Sequence, residues 1–450
     1  MKPVLLWSDA LLFLLLALVF AGGWWSRRQA HLRDAWQKVG AGGTAMAAAT
    51  VLAAFLVVGV LDSVHYRERL PDAGNEPGKG PVAYSNEVLS ALDALLLPLK
   101  TRTEKTYSAP LATHLFAKES LDGEGRDFPR LKHGGAHLGA ALDGHDGDVA
   151  ARVVIGFGIG VALWLPLWLF ARWRKFGGSG TAIRAVLGTA LVLLLIAGPV
   201  ASLAAGYHVL GTDKVGQDVL YLTLKSIRTG LLIGTLTTLI MLPAAVLLGI
   251  LAGYVGGWVD DLIQYLYTVL NSIPGVLLIA AAVLMMQVII DTHPDWFATA
   301  AARADARLLA LCLILGVTSW TGLARLLRGE TLKLREMDYV QAARAFGVGR
   351  LAIMLRHILP NLMHIVLIAL VMDFSGLVLA EAVLSYVGIG VDPNTISFGA
   401  MINAARMELA REPMVWWSLA AAFAFMFALV LAANLFADAV RDAFDPRAVK

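Results

Sequence analysis

The sequence predicts an all-α polytopic membrane protein with about nine transmembrane helices. Three observations carry this. The 450 residues are 58% hydrophobic and only 16% charged, with mean hydropathy +0.68, too apolar for an ordinary soluble protein. Apolar runs of about 20 residues recur, each long enough to cross a bilayer as a helix. The runs are continuously apolar and not alternating, which favours helices over a barrel. The net charge of +3 says little, because distribution matters more than the sum.

The spans fall near 4–23, 44–61, 152–171, 182–206, 229–252, 263–290, 308–328, 361–385 and 415–437. The first, Val4 to Gly23, lacks a strong basic flank and is long for a signal peptide, so it reads as a retained span. Pro243 and Pro274 are expected to kink the fifth and sixth. Trp24, Trp25, Trp416 and Trp417 stand at span ends, where they serve as interface anchors. The single cysteine, Cys312, excludes an intrachain disulfide and reads as a buried, inert thiol. Between the second and third spans lies a polar loop, about 62–150, rich in Gly, Asp and Lys. Its "NEVLSALDALLLPLK" could form one amphipathic helix, and no catalytic motif is visible in it. His133, His137 and His145 are too loosely spaced, with no cysteine to help, to favour a metal site.

Lys and Arg beside the spans set orientation. "RRQAHLRDAWQK" follows the first span, "RWRKFGGSGTAIR" the third, and "RLLRGETLKLREMDYVQAARAFGVGRLAIMLRH" the seventh. With nine spans all three fall on one side, which is then cytoplasmic. The N-terminus and loop 62–150 are expected outside, and the C-terminus inside.

One charged piece, "DYVQAARAFGVGRLAIMLRHILP" from Asp338 to Pro360, therefore lies in the cytoplasm between spans seven and eight. Asp338 can cap a helix, with Gln341 at capping-box spacing. Gly347 and Gly349 interrupt the helix. Pro360 suits the first turn of the next helix, and Leu359 before it is expected outside the helical region. The pattern predicts helix, glycine bend, helix, proline, span. Such a piece could dock a partner, or be a solvated loop whose arginines only obey the positive-inside rule. No phosphate-binding loop occurs anywhere; "PGKGP", Pro77 to Pro81, has no Ser or Thr after Lys79.

In this segment Gln341, Ala342, Ala343, Gly347, Leu359 and Pro360 resemble the "EAA-x3-G-x9-I-x-LP" loop of ATP-binding-cassette (ABC) importer permeases. Gln341 stands for the usual Glu and His357 for the usual Ile. "LGTDKVGQDVL" (Leu210 to Leu220), "LAGYVGGWVDDLI" (Leu251 to Ile263), "LAEAVLSYVGIGVDPNTISFGAMI" (Leu379 to Ile402) and "NLFADAVRDAFDPR" (Asn434 to Arg447) are similar to stretches of the dipeptide/oligopeptide/nickel branch. Gln217, Tyr386, Asn394 and Phe398 depart from that branch. The resemblance is to its second-permease type and covers roughly residues 182–450. It leaves uncovered an N-terminal region, 1–180, that holds the first three spans and the outer loop. A type I permease core of six spans, 181–450, follows, with a cytoplasmic coupling loop at about 329–360.

The resemblance further implies a permease subunit of the bacterial cytoplasmic (inner) membrane, forming half of a translocation pathway for di- or oligopeptides. Nickel, glutathione or a peptide antibiotic are the other cargoes of the branch. Implied partners are a sister permease, two cytoplasmic ABC ATPase subunits and an extracytoplasmic substrate-binding protein, in a lipid bilayer and without nucleic acid. The chain itself would hold no cofactor and no metal and would have no catalytic residue; ATP and magnesium belong to the ATPase subunits. Gln341, Ala342, Ala343, Gly347, Leu359 and Pro360 would form the contact to an ATPase.

Asp373, midway in span eight, and Glu381 are intramembrane carboxylates. Such groups face a pathway or a structural partner. An ion-coupled secondary transporter remains an alternative, which expects more paired intramembrane charges; a scaffold working through loop 62–150 is another.

Overall fold

The computed structural model describes residues 2–26, 28, 30–69, 84–121, 125–139, 144–173, 180–297, 299–392 and 395–444. The Pro77–Pro81 stretch, residues 174–179 of the basic connection after the third span, the side chain of Trp25, Asn394 and the last six residues lie outside these.

The chain opens with strand β1 (Lys2–Val4) and helices α1 (Trp7–Ser26), α2 (Ala30–Ala41) and α3 (Gly43–Ser63). Strand β2 (His65–Arg67) pairs antiparallel with β1 and with β3 (Leu89–Ser90), so the start of the chain and the start of the polar loop share one face of the molecule. Within the loop the expected single amphipathic helix is two short ones, α4 (Ala91–Leu95) and α5 (Leu97–Thr101), because Pro98 opens a new first turn. A hairpin of β4 (Glu119–Leu121) and β5 (Gly125–Asp127) follows.

Helices α6 (His145–Trp173) and α7 (Gly180–Ala204) form the next pair. Gly156 and Gly160 lie against Gly198 and Pro199. A Cβ on Gly156 would meet the Pro199 backbone at 2.3 Å, and one on Gly198 the Gly156 carbonyl at 2.2 Å. Only side-chain-free positions permit that approach, the small-residue packing common between membrane helices.

The remaining helices are α8 (Val219–Val255), α9 (Gly257–Ser272), α10 (Gly275–Thr292), α11 (Ala300–Leu334), α12 (Asp338–Ala345), α13 (Arg350–Ile353), α14 (Leu359–Val387), α15 (Phe398–Arg406) and α16 (Trp417–Phe444). Among the described residues nine helices are long and apolar enough to cross a membrane. The central pair is α8 and α11. Gly249 and Gly253 of α8 let α11 approach, and Gly316 of α11 lets α8 approach; a Cβ on Gly249 would meet the Ala324 carbonyl at 2.7 Å. The N-terminal region packs into this core through α3, which lies against α7, α8 and α16.

Two expectations are corrected. Span six is not one kinked helix: it breaks into α9 and α10, with Ile273 extended and Pro274 capping α10. Pro243 lies within the continuous α8. Trp417 is no interface anchor; it is buried, and its Nε1 donates to the Thr212 carbonyl at 2.9 Å. Cys312 is wholly buried, as expected.

Candidate functional site

The segment from Asp338 to Pro360 is built on a glycine stop. α12 ends at Ala345, and Gly347 adopts φ +77°. The Gly347 N–H donates to the Arg344 carbonyl at 3.0 Å and the Val348 N–H to the Ala343 carbonyl at 3.1 Å. This is the paired closure of a Schellman motif, whose left-handed residue favours glycine. The three-residue gap between the alanine pair and Gly347 is thus the length of one closing turn.

The expected capping box does not form. Asp338 is already inside α12, after Met337, and the Gln341 amide turns back to the Arg335 carbonyl and Glu336 Oε2, both at 3.3 Å. A glutamate at 341 would put like charge against Glu336, so the amide suits this neighbour.

Leu359 is helical, contrary to expectation, with φ −54° and ψ −45°. Residues Met354–Ile358 form a π turn in which the Leu359 N–H reaches the Met354 carbonyl. The wider turn accommodates the ring and missing N–H of Pro360 without breaking the helix. The His357 carbonyl accepts from Asn361 Nδ2 at 2.6 Å, and the same amide reaches Tyr339 Oη at 3.1 Å, tying α14 to α12. Val340, Ile353, Met354, Ile358 and Leu362 are buried against α8 and α11. The opposite face is open: Phe346 is 88% exposed, and Leu351 and Leu355 are exposed. Gln341 and Ala342 are exposed and Ala343 half-buried, with Arg344, Arg350 and Arg356 exposed around them. These arginines make no ion pair among the described residues.

The two acids of α14 have different surroundings. Glu381 is 2% exposed and accepts from Ser385 Oγ at 2.6 Å and Ser397 Oγ at 2.9 Å. Ser397 also caps α15 by accepting the Ala400 N–H. Gly399 lies against the same carboxylate, where a Cβ would stand 2.9 Å from Oε1. Glu381 therefore holds the start of α15 against α14. Asp373 is half-buried and has no hydrogen-bond or ion-pair partner among the described residues.

The opposite end of α8 is fastened by charge. Asp218 caps α8 through the Leu220 N–H at 2.8 Å, and its other oxygen meets His208 Nδ1 at 2.7 Å. His208 Nε2 faces Glu104 at 3.4 Å, and Glu104 accepts the N–H groups of Lys132, His133 and Gly134. Burial works against both charges. Even so, His208 and the three N–H donors hold Glu104 down to about 2, while Asp218 and Glu104 push His208 up to about 9. Nearby, Lys225 bridges Asp62 at 2.6 Å and Asp93 at 3.0 Å, and Arg228 bridges Asp9 at 2.6 Å. Sequence reasoning missed these ties. Their only signal was a scatter of acids at span ends, "LDS" after span two among them. Of the loop histidines, His137 pairs with Asp148 at 2.8 Å.

Comparison with known proteins fits this geometry. Residues 245–450 match the family described as binding-protein-dependent transport system inner membrane component. The chain is 31% identical over 239 residues to the oligopeptide transport system permease protein of Mycobacterium tuberculosis, covering 53% of this chain and 76% of that protein. It is 33% identical over 242 residues to the glutathione transport system permease protein of Pectobacterium atrosepticum, covering 53% and 73%. To the dipeptide transport system permease protein of Lactococcus lactis it is 30% identical over 241 residues, covering 54% and 64%. The matched half holds the Schellman-closed α12, the π turn and the Glu381 brace, and the chain belongs to the binding-protein-dependent transport system inner membrane component family, as a multi-pass permease subunit of an ABC importer.

Proposed function

We propose that this permease moves di- or oligopeptides inward across the bacterial cytoplasmic membrane, paired with a sister permease. Two ABC ATPase subunits, holding ATP and magnesium, engage it from the cytoplasm, and an extracytoplasmic binding protein delivers cargo. The N-terminus and the loop after α3 then face outward, and the segment from Asp338 to Pro360 faces the cytoplasm. The observation that carries this reading is the open face of α12 and α13: apolar and cationic, uncovered, yet rigidly backed by side chains buried against α8 and α11. Gln341, Ala342, Ala343, Gly347, Leu359 and Pro360 form the coupling unit. The first three present the helix, Gly347 ends it, and Leu359 and Pro360 join it to α14. Motion of the ATPase pair enters α14 as a rigid-body shift, which switches access between the two sides.

The test is Ala343→Glu. Its expected outcome is loss of peptide uptake and of ATPase co-purification, with membrane insertion unchanged. Normal uptake would remove the coupling role. For the pathway, the unpartnered Asp373 carboxylate is the group suited to a peptide's amino terminus, and Glu381, committed to α15, acts as its brace. Asp373→Asn should slow uptake of peptides with a free amino terminus more than of N-acetylated ones; equal rates for both would sink this role. Identity to a glutathione permease makes glutathione, itself a small peptide, the second cargo to try.

A further inference from the structure

The break between α9 and α10 lies inside the membrane and is uncovered. Its depth follows from neighbouring side chains on α11. Asn271 Oδ1 accepts from Thr321 Oγ1 at 3.2 Å, and Arg325 stacks over Tyr267 at 5.0 Å. Asp260 holds Arg328 with two bonds of 2.6 Å. At the other end Arg307 pairs with Asp291, the end of α10, and with Asp392. At about 1.5 Å per residue, roughly 21 Å of α11 separate Arg307 from Thr321, and roughly 10 Å separate Thr321 from Arg328. Together these charged layers bracket about the hydrocarbon thickness of a bilayer. Asn271 therefore sits about two-thirds of the way across, inside the half nearer α12.

Every residue from Asn271 to Leu277 is exposed. The last carbonyls of α9 have no helical partner at such a break; at the start of α10 the Leu277 and Leu278 N–H groups donate to the Pro274 carbonyl at 2.9 and 3.1 Å, while those of Gly275 and Val276 have no acceptor among the described residues. Ser272 Oγ returns to the Val269 carbonyl at 2.7 Å, and the Asn271 amide N–H2 has no acceptor among the described residues. Hydrocarbon does not tolerate irregular backbone of this kind; at membrane depth it is found buried in protein or lining water.

We infer that the Asn271–Gly275 break lines the water-filled transport pathway in its inner third, and that Asn271 and Ser272 are polar contacts for a passing peptide. This rests on the permease reading above and adds residues to it. Water fits better than a docked helix, because a neighbouring helix has its own backbone paired and offers only side chains, whereas water can meet the unpaired backbone groups of the break as well as Asn271 and Ser272. The apolar positions further along α10, such as Met285 and Val288, both exposed, then face lipid.

The experiment uses the full chain in its native membrane, with Ser272→Cys and Asn271→Cys against Met285→Cys and Val288→Cys. Cys312 is wholly buried and provides a silent background. The probe is a charged, membrane-impermeant maleimide added to inside-out vesicles. The two break positions should react roughly tenfold or more faster than the two α10 controls, since only a hydrated thiol ionises readily. Two variants guard against one misfolding. Break positions as slow as the controls would overturn the inference. So would break positions that are slow in vesicles but fast in the isolated chain in detergent, because a protein neighbour would then cover them. ATPase recovery from the same vesicles is read separately. Fast labelling without an ATPase would leave the break facing water and instead remove the ABC partners; an ATPase with slow labelling would remove only the pathway assignment.

Discussion

The two ends of α8 are held by opposite means. Near Asp218 the N-terminal region is bound to the permease core through buried ions: Glu104, His208 and Asp218, then Asp62, Asp93 and Lys225. Near Val255 the proposed coupling segment is held by apolar contacts through Val340, Ile353 and Ile358, while the Asp260–Arg328 pair at that end joins α9 to α11 and not this segment. Ion pairs of fixed geometry resist sliding and leave an expensive unpaired charge when parted. Apolar contacts are non-directional and survive small shifts. The ion-bound end is suited to stay still and the apolar end to move with a partner.

The sharpest way to break this contrast is Lys225→Met. It leaves Asp62 and Asp93 buried without a cation, at a cost of about 3–5 kcal/mol. The variant should lose thermal stability in detergent, with the polar loop becoming protease-sensitive while the coupling segment stays resistant. Equal loosening of both ends would end the distinction.

Next is Gly347. Gly347→Pro removes the N–H bonded to Arg344 and cannot reach φ +77°, so uptake should vanish with insertion intact. Gly347→Ala meets nothing within 4 Å and carries only the left-handed strain, about 1 kcal/mol. Uptake by the alanine variant should fall only a few-fold, and uptake as low as with proline would point to a packing role in place of a conformational one.

The smallest effect is that of pH on the fixed end. Glu104 is held down to about 2, so its contribution is present above its ordinary carboxyl range and is lost as pH falls toward 2. His208 is pushed up to about 9, so its contribution is full below the ordinary imidazole value and is lost as pH rises through 9. Thermal stability should therefore peak between these limits. His208→Gln should flatten the alkaline side and also weaken the acid side, because Glu104 loses one of the groups that hold it down; an unchanged alkaline limb would show that the imidazole carries no charge in the fold.

Two prolines show what was legible. The apolar runs gave nine spans, since hydrophobic length is a property of the sequence alone. Whether a proline breaks a helix is not. Ile273 and Leu359 both precede proline, and the local rule expects both to leave the helical region. Ile273 does. Leu359 does not, because Ile353, Ile358 and Leu362 are clamped in the core and a π turn relieves the ring. Tertiary packing chose the outcome. The helix, glycine stop and proline of the segment from Asp338 to Pro360 were legible because one short motif holds the spacing of Ala342, Ala343, Gly347 and Pro360. The ion ties were not: Lys225 and Asp62 are 163 residues apart, and nothing local marks them as partners. The resemblance picked out Glu381, but its partners Ser385 and Ser397 became visible only with α15 in place.

The α6–α7 contact has a consequence for biogenesis. Where Gly156 and Gly160 meet Gly198, docking freezes almost no side-chain rotamers, so little conformational entropy opposes it. The two helices are joined by a short connection and need no other part of the chain to close this seam. The hairpin can therefore form as soon as α7 leaves the insertion machinery. It would present a finished surface for α3, and the later helices would assemble against a unit that is already complete.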